Sequence, residues 1–337
     1  MAKKWYNIQI KLTKEKEQAK MDFLIEKEND GVSVLDFLRR DVGLSSAMLR
    51  HLKFIPDGIA VGGKHVTVRH ILRTGEILSI KSEDSESSEH IIPSDIQIDI
   101  AYEDEDIVVP DKPPYMPTHP SHGHFDDTVA NALCHRYSRE GKSFVFRSVN
   151  RLDRNTSGLL IIARNRMAAA KLTASMKRGE IQKSYIAVLD GALPLSSEEQ
   201  IIDNFIKRAD KSIIVRRVCG ADEGGDRAIT SYKVLYSNAS HSVVAATPVT
   251  GRTHQLRVHF AHIGAPIVGD DMYGKASEHI GRHALHAARL SFLHPSTNEQ
   301  ISLRSPLPKD MSELLRAIFC EDEIKEIYSR IQGDIDR

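Results

Sequence analysis

Residues 82–89 divide the sequence, because this segment consists only of serines and acidic residues and contains no apolar side chain. Such a stretch cannot join a hydrophobic core and is typical of a solvated linker. We therefore expect a small module over 1–81, a linker over 82–90, a larger domain over 91–318 and a helical tail over 319–337. A length of 337 residues agrees with about two domains.

The first 81 residues are predicted to form a small α/β module. Hydrophobic spacing and turn signals indicate a strand at 23–25, helices at 34–40 and 47–52, two short strands around Gly62-Gly63 and a last strand ending at residue 80. This order is similar to a small RNA-binding module first known from a ribosomal small-subunit protein. Residues 1–80 contain 14 Lys and Arg against 10 Asp and Glu, which favours a polyanionic partner. The alternative is a domain that serves only packing or dimerisation.

Residues 91–318 alternate strand and helix signals without the regular spacing of parallel βαβ units, and this favours an α+β fold. Strands are predicted at 107–109, where Pro110 would end the strand, and at 158–163, 184–189 and 243–247. Helices are predicted at 126–140, at 167–177 and between Thr253, as N-cap, and Gly264.

Asp153 lies between Arg151 and Arg154 in a polar turn, and an apolar run with strand character follows. The flanking arginines favour a charged carboxylate that can act as nucleophile or base. The alternative is a surface ion pair or a turn-capping aspartate. Because the chain has 46 basic and 46 acidic residues, a binding surface for a polyanion must come from local asymmetry. The segment 147–166 provides it, with five arginines against Asp153 alone.

The chain carries four motif-like stretches in a fixed order. In chain order they are 111–120 with Lys112 and His119, 150–159 around Asp153, 183–188 with Lys183 and Tyr185, and 250–264 with Arg252, His254 and Arg257. Together they resemble the motifs of the RluA-type pseudouridine synthases. The Asp153 stretch departs from the family motif at Asn150, where that family has histidine. Asn150 can form hydrogen bonds but cannot titrate, so a proton-transfer role at this position is excluded.

The resemblance implies a mixed, largely antiparallel sheet with a cleft across its middle, and an enzyme that isomerises uridine to pseudouridine in RNA. It implies that Asp153 is the essential catalytic residue, that Arg252 pairs with it, and that Tyr185 stacks on the base and helps to remove its ring proton. Arg151 would fill the space that the flipped-out base leaves or hold the base in that conformation. Candidates for contacts with phosphate or uracil are Lys112, Lys183, His254 and Arg257.

The expected reaction is an isomerisation, so we predict an enzyme without cofactor or metal. We also expect the enzyme to be a monomer. Large-subunit ribosomal RNA is the expected partner, with transfer RNA as the alternative. His119, His122 and His124 raise the possibility of a metal-dependent hydrolase, but no Cys or acidic ligand follows at matching spacing. A catalytically silent RNA-binding or ribosome-assembly protein on the same fold is a further alternative. Three scattered cysteines, with no signal-peptide or membrane-spanning pattern, predict a cytoplasmic protein.

Overall fold

The computed structural model describes residues 20–42, 44, 49, 52, 57–81, 91–196, 198–210, 212 and 214–335. Two β-sheets organise them, a four-stranded sheet before residue 82 and a 12-stranded sheet after residue 90. The predicted linker over 82–90 lies outside the described residues. The predicted helix at 47–52 also lies outside them, except for Leu49 and Leu52, which are helical.

The smaller sheet contains four antiparallel strands in the order β1-β4-β2-β3. These strands are β1 (Lys20–Leu24), β2 (Ile59–Val61), β3 (Lys64–His65) and β4 (Ile77–Lys81). Gly62 and Gly63 join β2 to β3 with φ angles of 55° and 79°, which a tight hairpin turn requires and glycine adopts easily. Helix α1 (Val34–Arg40) begins after Ser33, whose side chain accepts a hydrogen bond from the Asp36 backbone N–H. The predicted hairpin and first helix are therefore confirmed.

The hydrophobic core of the smaller sheet includes one side chain from the larger part of the chain. Phe37 and Leu38 of α1 pack with Leu78 of β4, and Met167 belongs to the same buried cluster. Met167 lies in helix α3 (Arg166–Lys177), close to the predicted span of 167–177. The smaller sheet therefore packs against α3, and a large apolar side chain is buried at this contact.

The larger sheet is mixed and largely antiparallel, as predicted. Its main path is β12-β11-β13-β14-β10-β15-β8-β6-β9-β7, with β16 paired to β15 and β5 paired to β6. Strands β8 and β15 pair in parallel, whereas the neighbouring pairs of β10 with β14 and with β15 are antiparallel. The strands are β5 (Asp99–Glu103), β6 (Ile107–Lys112), β7 (Arg147–Ser148), β8 (Ser157–Leu159), β9 (Ile162–Ala163), β10 (Gln182–Asp190), β11 (Gln200–Arg208), β12 (Arg216–Cys219), β13 (Asp226–Ser237), β14 (His241–Pro248), β15 (Leu285–Leu293) and β16 (Gln300–Arg304).

Five α-helices lie after residue 90 in the described part of the chain. They are α2 (Val129–Arg139), α3, α4 (Gln255–His262), α5 (Lys309–Ile318) and α6 (Glu321–Ile335). Helix α6 occupies the predicted C-terminal tail, and its Ile327 and Ile331 are buried in the main core beside Leu314 and Leu315 of α5. None of the helices in the described ranges is long and apolar enough to cross a membrane.

The predicted strand at 158–163 is divided into β8 and β9. Contacts of these two strands hold the turn that carries Asp153 in place. Gly158 of β8 has a φ of 107°, and a Cβ at this position would lie 2.3 Å from the carbonyl oxygen of Ala287 in β15. Only glycine tolerates both the conformation and the approach. Asn150 then ties the turn to the sheet, because its Oδ1 accepts a hydrogen bond of 2.8 Å from the Ile161 backbone N–H. The turn is therefore held at the centre of the sheet from both of its ends.

Two predicted boundaries differ from the structure. Strand β6 continues through Pro110 to Lys112, because Pro110 faces Ile100 beside an irregularity in β5, where a missing N–H is tolerated. The predicted N-cap at Thr253 is also wrong, since α4 begins after His254, which has a left-handed φ of 57°.

Candidate active site

A cavity of about 510 Å³ lies where three segments meet at the middle of the larger sheet. These segments are the turn before β8, the first half of β10 and the loop that leads from β14 into α4. The predicted site residues in its wall are Arg151, Asp153, Lys183, Tyr185, Arg252, His254 and Arg257. Segments far apart in the sequence are thus brought together around one polar depression, and Lys112 is the predicted residue that does not line it.

Asp153 presents a partly exposed carboxylate to this cavity, with 27% of its side chain accessible. Its Oδ2 lies 3.7 Å from Nη1 of Arg257 and 4.0 Å from Nε2 of His254. The turn is closed by a hydrogen bond of 3.0 Å from the Thr156 backbone N–H to the Asp153 carbonyl oxygen. The carboxylate therefore faces the cavity with a guanidinium beside it, while remaining accessible to a substrate.

Arg257 is held in place by the fully buried carboxylate of Asp270. Its Nε and Nη2 donate to the two oxygens of Asp270 at 2.7 and 2.8 Å, a bidentate pair that leaves Nη1 directed at Asp153. The ring of Tyr273 lies 5.0 Å below the guanidinium. Burial opposes the charge of Arg257, but the hydrogen bond and negative charge of Asp270 outweigh it and raise the pKa of Arg257. Arg257 is thus a fixed cation at the site.

The predicted pairing of Arg252 with Asp153 is wrong. Nη1 of Arg252 lies 3.7 Å from Asp226, and its Nε donates to the Arg227 carbonyl oxygen at 3.1 Å. The Gln255 side chain accepts a hydrogen bond from the Arg252 backbone N–H, which turns the Arg252 side chain towards β13. Arg252 lines the cavity with 41% of its side chain exposed, and the arginine that lies beside Asp153 is Arg257.

Tyr185 lies at the inner wall of the cavity with a nearly fully buried side chain. Burial, and then the negative charge of Asp153, raise the pKa of Tyr185 well above its ordinary value, so the phenol is neutral at physiological pH. Lys183, two residues earlier on β10, is partly buried, and burial lowers the pKa of its ammonium. Desolvation at this wall therefore disfavours charge on both side chains.

His254 links the cavity to the residues beneath it. Its Nδ1 lies 2.8 Å from the hydroxyl of Tyr273, whose ring supports Arg257. Burial lowers the pKa of His254, although the charge of Asp153 opposes this shift. The left-handed backbone of His254 is a conformation that a side chain rarely adopts, and such strain concentrates at functional sites.

Lys112 is fully buried, so its predicted contact with RNA is wrong. Its Nζ donates to the carbonyl oxygens of Pro113 at 2.9 Å, Met116 at 2.8 Å and Arg154 at 2.9 Å. The ammonium therefore fastens the proline-rich loop after β6 to the turn that carries Asp153. A sequence motif shows that a lysine is present at this position but not whether its side chain points outwards or into the protein.

Sequence reasoning missed a second group of residues that supports the Asp153 turn from below. Arg282 pairs with Asp310 at 2.6 and 2.9 Å and donates to the Asn155 carbonyl oxygen at 3.0 Å. The side chains of His283 and His286 lie at hydrogen-bond distance from Thr156 and Ser157, respectively. The available signal was the three basic side chains of Arg282, His283 and His286 close to the start of a largely apolar strand.

The buried ammonium of Lys112 gives the fold a pH dependence. Burial, with a smaller contribution from the charge of Arg282, lowers the pKa of Lys112 to about 7 from its ordinary 10.5, against the opposing charge of Asp153. Between these values the unfolded chain binds more protons than the folded one, so stability rises with pH in that window, by up to about 1.4 kcal/mol per unit. We expect the free energy of unfolding of the native chain, minus that of Lys112→Met, to increase from pH 7 to pH 9 in urea titrations. A difference that is constant or falls with pH would contradict this assignment.

The loop with His119, His122 and His124 does not form a metal centre in the structure. His124 Nδ1 lies 2.6 Å from Asp127, while His119 and His122 are exposed. Within the ranges that the structure describes, no group of three or more His, Cys, Asp or Glu side chains is arranged to hold a metal ion. The histidine of this loop with a close carboxylate neighbour, His124, thus makes a local contact just before α2.

Comparison with known proteins places the site in a family. The sequence profile of RNA pseudouridylate synthase matches residues 106–262, which contain the three segments around the cavity. A Bacillus subtilis protein, the uncharacterized RNA pseudouridine synthase YjbO, is 37% identical over 276 residues, covering 82% of this chain and 96% of that protein. Ribosomal large subunit pseudouridine synthase D of Xanthomonas campestris is 34% identical over 281 residues, covering 79% and 83%, respectively.

The fold agrees with these sequence relationships. The structure of human RNA pseudouridylate synthase domain containing 1 is 28% identical and superposes with a TM-score of 0.51, over 66% of this chain and 94% of that one. Human RNA pseudouridylate synthase domain containing 4 gives a TM-score of 0.52 at 22% identity, over 65% and 92%, a likeness in fold alone. The predicted pseudouridine synthase fold is therefore confirmed.

Proposed function

Because the chain belongs to the RNA pseudouridylate synthase family and is an RNA pseudouridine synthase, we propose that Asp153 is the catalytic residue of its cavity. The observation that carries this assignment is the Asp153 carboxylate, which is partly exposed at the centre of the cavity and lies 3.7 Å from the fixed cation of Arg257. Other carboxylates near the site are engaged, since Asp270 is buried against Arg257 and Asp310 pairs with Arg282. Asp153 is thus available to a reacting nucleoside.

Pseudouridine formation breaks the bond from the ribose to a uracil nitrogen, turns the base and joins it again through a ring carbon. That carbon loses its proton and the freed nitrogen takes one up, so the overall change is an isomerisation. The target base must first leave its stack, which costs a few kcal/mol. We propose that Asp153 acts on the freed nucleoside at the ribose, as nucleophile or base, and that Arg257 keeps the carboxylate charged and oriented. The exposed Arg151 at the cavity rim holds the flipped conformation.

We assign Tyr185 the support of the uracil ring. Its side chain lies in the cavity wall, and an aromatic ring offers a stacking surface to any base. The raised pKa of Tyr185 keeps its phenol neutral. We therefore assign Tyr185 the stacking role before any part in removing the ring proton. Lys183 and His254 line the same cavity and are placed to contact uracil oxygens or the adjacent phosphate.

The proposed substrate is large-subunit ribosomal RNA. The proposal is supported by the names of relatives that share over 30% of their residues with this chain, including ribosomal large subunit pseudouridine synthase D of Escherichia coli. Residues 1–81 would form a second RNA contact, separated by the linker 82–90 from the catalytic domain 91–318. Exposed basic side chains support this role, namely Lys64 on β3 and Arg69 in the segment that follows it.

Mapping pseudouridines in total RNA tests the substrate. Cells without the gene, compared with cells that carry it, should lack pseudouridine at one or a few positions of large-subunit ribosomal RNA. Restoring the native gene should restore those positions, whereas restoring it with Asp153→Ala should not. Loss confined to transfer RNA would overturn the proposed substrate, and unchanged modification in every RNA would overturn the proposed function in the cell.

A Lys64→Glu, Arg69→Glu variant should restore the positions only partly if the small sheet contacts RNA.

A further inference from the structure

Tyr115 is a large aromatic side chain that remains 47% exposed beside the Asp153 turn. Its carbonyl oxygen accepts a hydrogen bond of 3.3 Å from Nε of Arg154, the residue that follows Asp153. The backbone of Tyr115 has a φ of 65°, in the left-handed region that residues with a side chain rarely occupy. Such a conformation is strained and persists only where the surroundings enforce it.

The surroundings of Tyr115 do enforce its position. The buried Nζ of Lys112 binds the carbonyl oxygens of Pro113 and Met116, one on each side of the Tyr115-containing bend, and also binds the Arg154 carbonyl oxygen. Prolines at 113, 114 and 117 further restrict the loop. Tyr115 is therefore set rigidly relative to the catalytic turn, although its exposed ring contributes little to the hydrophobic core.

The hydroxyl of Tyr115 lies close to an exposed glycine on another segment. A Cβ on Gly281 would lie 2.9 Å from the Tyr115 hydroxyl, so the absence of a side chain makes room for the phenol. Gly281 is not among the glycines with positive φ, so the backbone conformation does not by itself require glycine there. The next residue, Arg282, supports the Asp153 turn through the Asn155 carbonyl oxygen. Two segments therefore position the ring beside the Asp153 turn.

We propose that Tyr115 is a stacking platform for an unpaired base that flanks the target uridine in the RNA. A rigid, exposed aromatic ring is the chemistry that binds single-stranded bases, and each stacked base contributes about 1–3 kcal/mol. The exposed side chain of Arg154 lies on the adjacent turn, where it can contact a phosphate next to that base. The inference rests on the proposed role of the Asp153 cavity, because it places the flanking nucleotide relative to a uridine bound there.

The test uses variants that separate stacking from folding. Tyr115→Gly removes the ring and relieves the left-handed backbone, so its melting temperature should equal or exceed that of the native chain. Tyr115→Phe keeps the ring, and Gly281→Ala keeps Tyr115 but displaces its hydroxyl. The substrate is total RNA labelled with 5-tritiated uridine, prepared from cells that lack the gene, and tritium release measures turnover on whichever RNA is modified.

Tyr115→Gly should raise the KM for RNA about 5- to 150-fold, the equivalent of one stacked base, with kcat within about twofold of native. Tyr115→Phe should retain the native KM, and Gly281→Ala should raise it by less than Tyr115→Gly does. An unchanged KM in Tyr115→Gly would overturn the stacking site, and so would a KM effect that appears only together with a lower melting temperature. Absence of tritium release from the native chain would instead refute the proposed function, so the two failures are distinguishable.

Discussion

Asp153→Ala is expected to abolish pseudouridine formation, with kcat reduced by at least about 10⁴-fold, the scale of losing a group that acts directly on the reacting atoms. RNA binding should change little, because the cavity keeps Arg151, Lys183 and His254. Stability should also change little, by less than about 1 kcal/mol. Asp153 is partly exposed at 3.7 Å from Arg257, and that arginine already has a bidentate partner in Asp270.

The experiment pairs tritium release from 5-tritiated uridine RNA with urea unfolding of the same preparations. Asp153→Asn provides an isosteric variant that lacks only the charge, and it should lose activity as completely as Asp153→Ala. Asp226→Asn is the matched control, since this exposed carboxylate also faces an arginine, Arg252, but lies outside the cavity wall. Activity retained in Asp153→Ala, or lost equally in Asp226→Asn, would contradict the assignment.

Much of the fold could be predicted from the sequence because local signals and hydrophobic spacing agree there. Helix α1 has a serine N-cap with amphipathic spacing, and its predicted and observed limits coincide. The Gly62-Gly63 hairpin follows from the turn chemistry of glycine. The division between β8 and β9 could not be predicted, since it depends on the close approach of Gly158 to Ala287, which is more than a hundred residues away in sequence.

In the candidate site, the residue types could be predicted from the sequence, but the directions of the side chains could not. The motifs located Asp153 and Tyr185, because a residue type at a fixed spacing is a local property of the sequence. Whether a basic side chain points into the cavity is not a local property. Lys112 is drawn inwards by three backbone carbonyl oxygens, and Arg257 is fixed by Asp270, which follows the end of its helix. The pairing of Arg282 with Asp310 likewise joins separate elements, and no spacing rule predicts it.

Arg257→Met is expected to lower both stability and activity, whereas Arg252→Met should affect stability by no more than about 0.5 kcal/mol. Removing Arg257 leaves the fully buried carboxylate of Asp270 without its partner, and an unpaired buried charge destabilises a protein by about 3–5 kcal/mol. It also removes the cation that faces Asp153, so kcat should fall by about 10²-fold or more. Urea unfolding and tritium release at saturating RNA measure the two effects.

A double variant separates the chemistry of Arg257 from its contribution to folding. In Arg257→Met, Asp270→Asn the unpaired charge is gone, and the amide oxygen at position 270 can still accept from the Met272 and Tyr273 backbone N–H groups, as the carboxylate does in the native chain. Most of the lost stability should therefore return, but kcat should stay low, because Asp153 still lacks a cation. If kcat recovers with stability, Arg257 acts only on the fold. If Arg252→Met alone lowers kcat as far as the double variant does, the pairing expected from the motif operates during catalysis, and the ground-state position of Arg252 beside Asp226 is not the one that reacts.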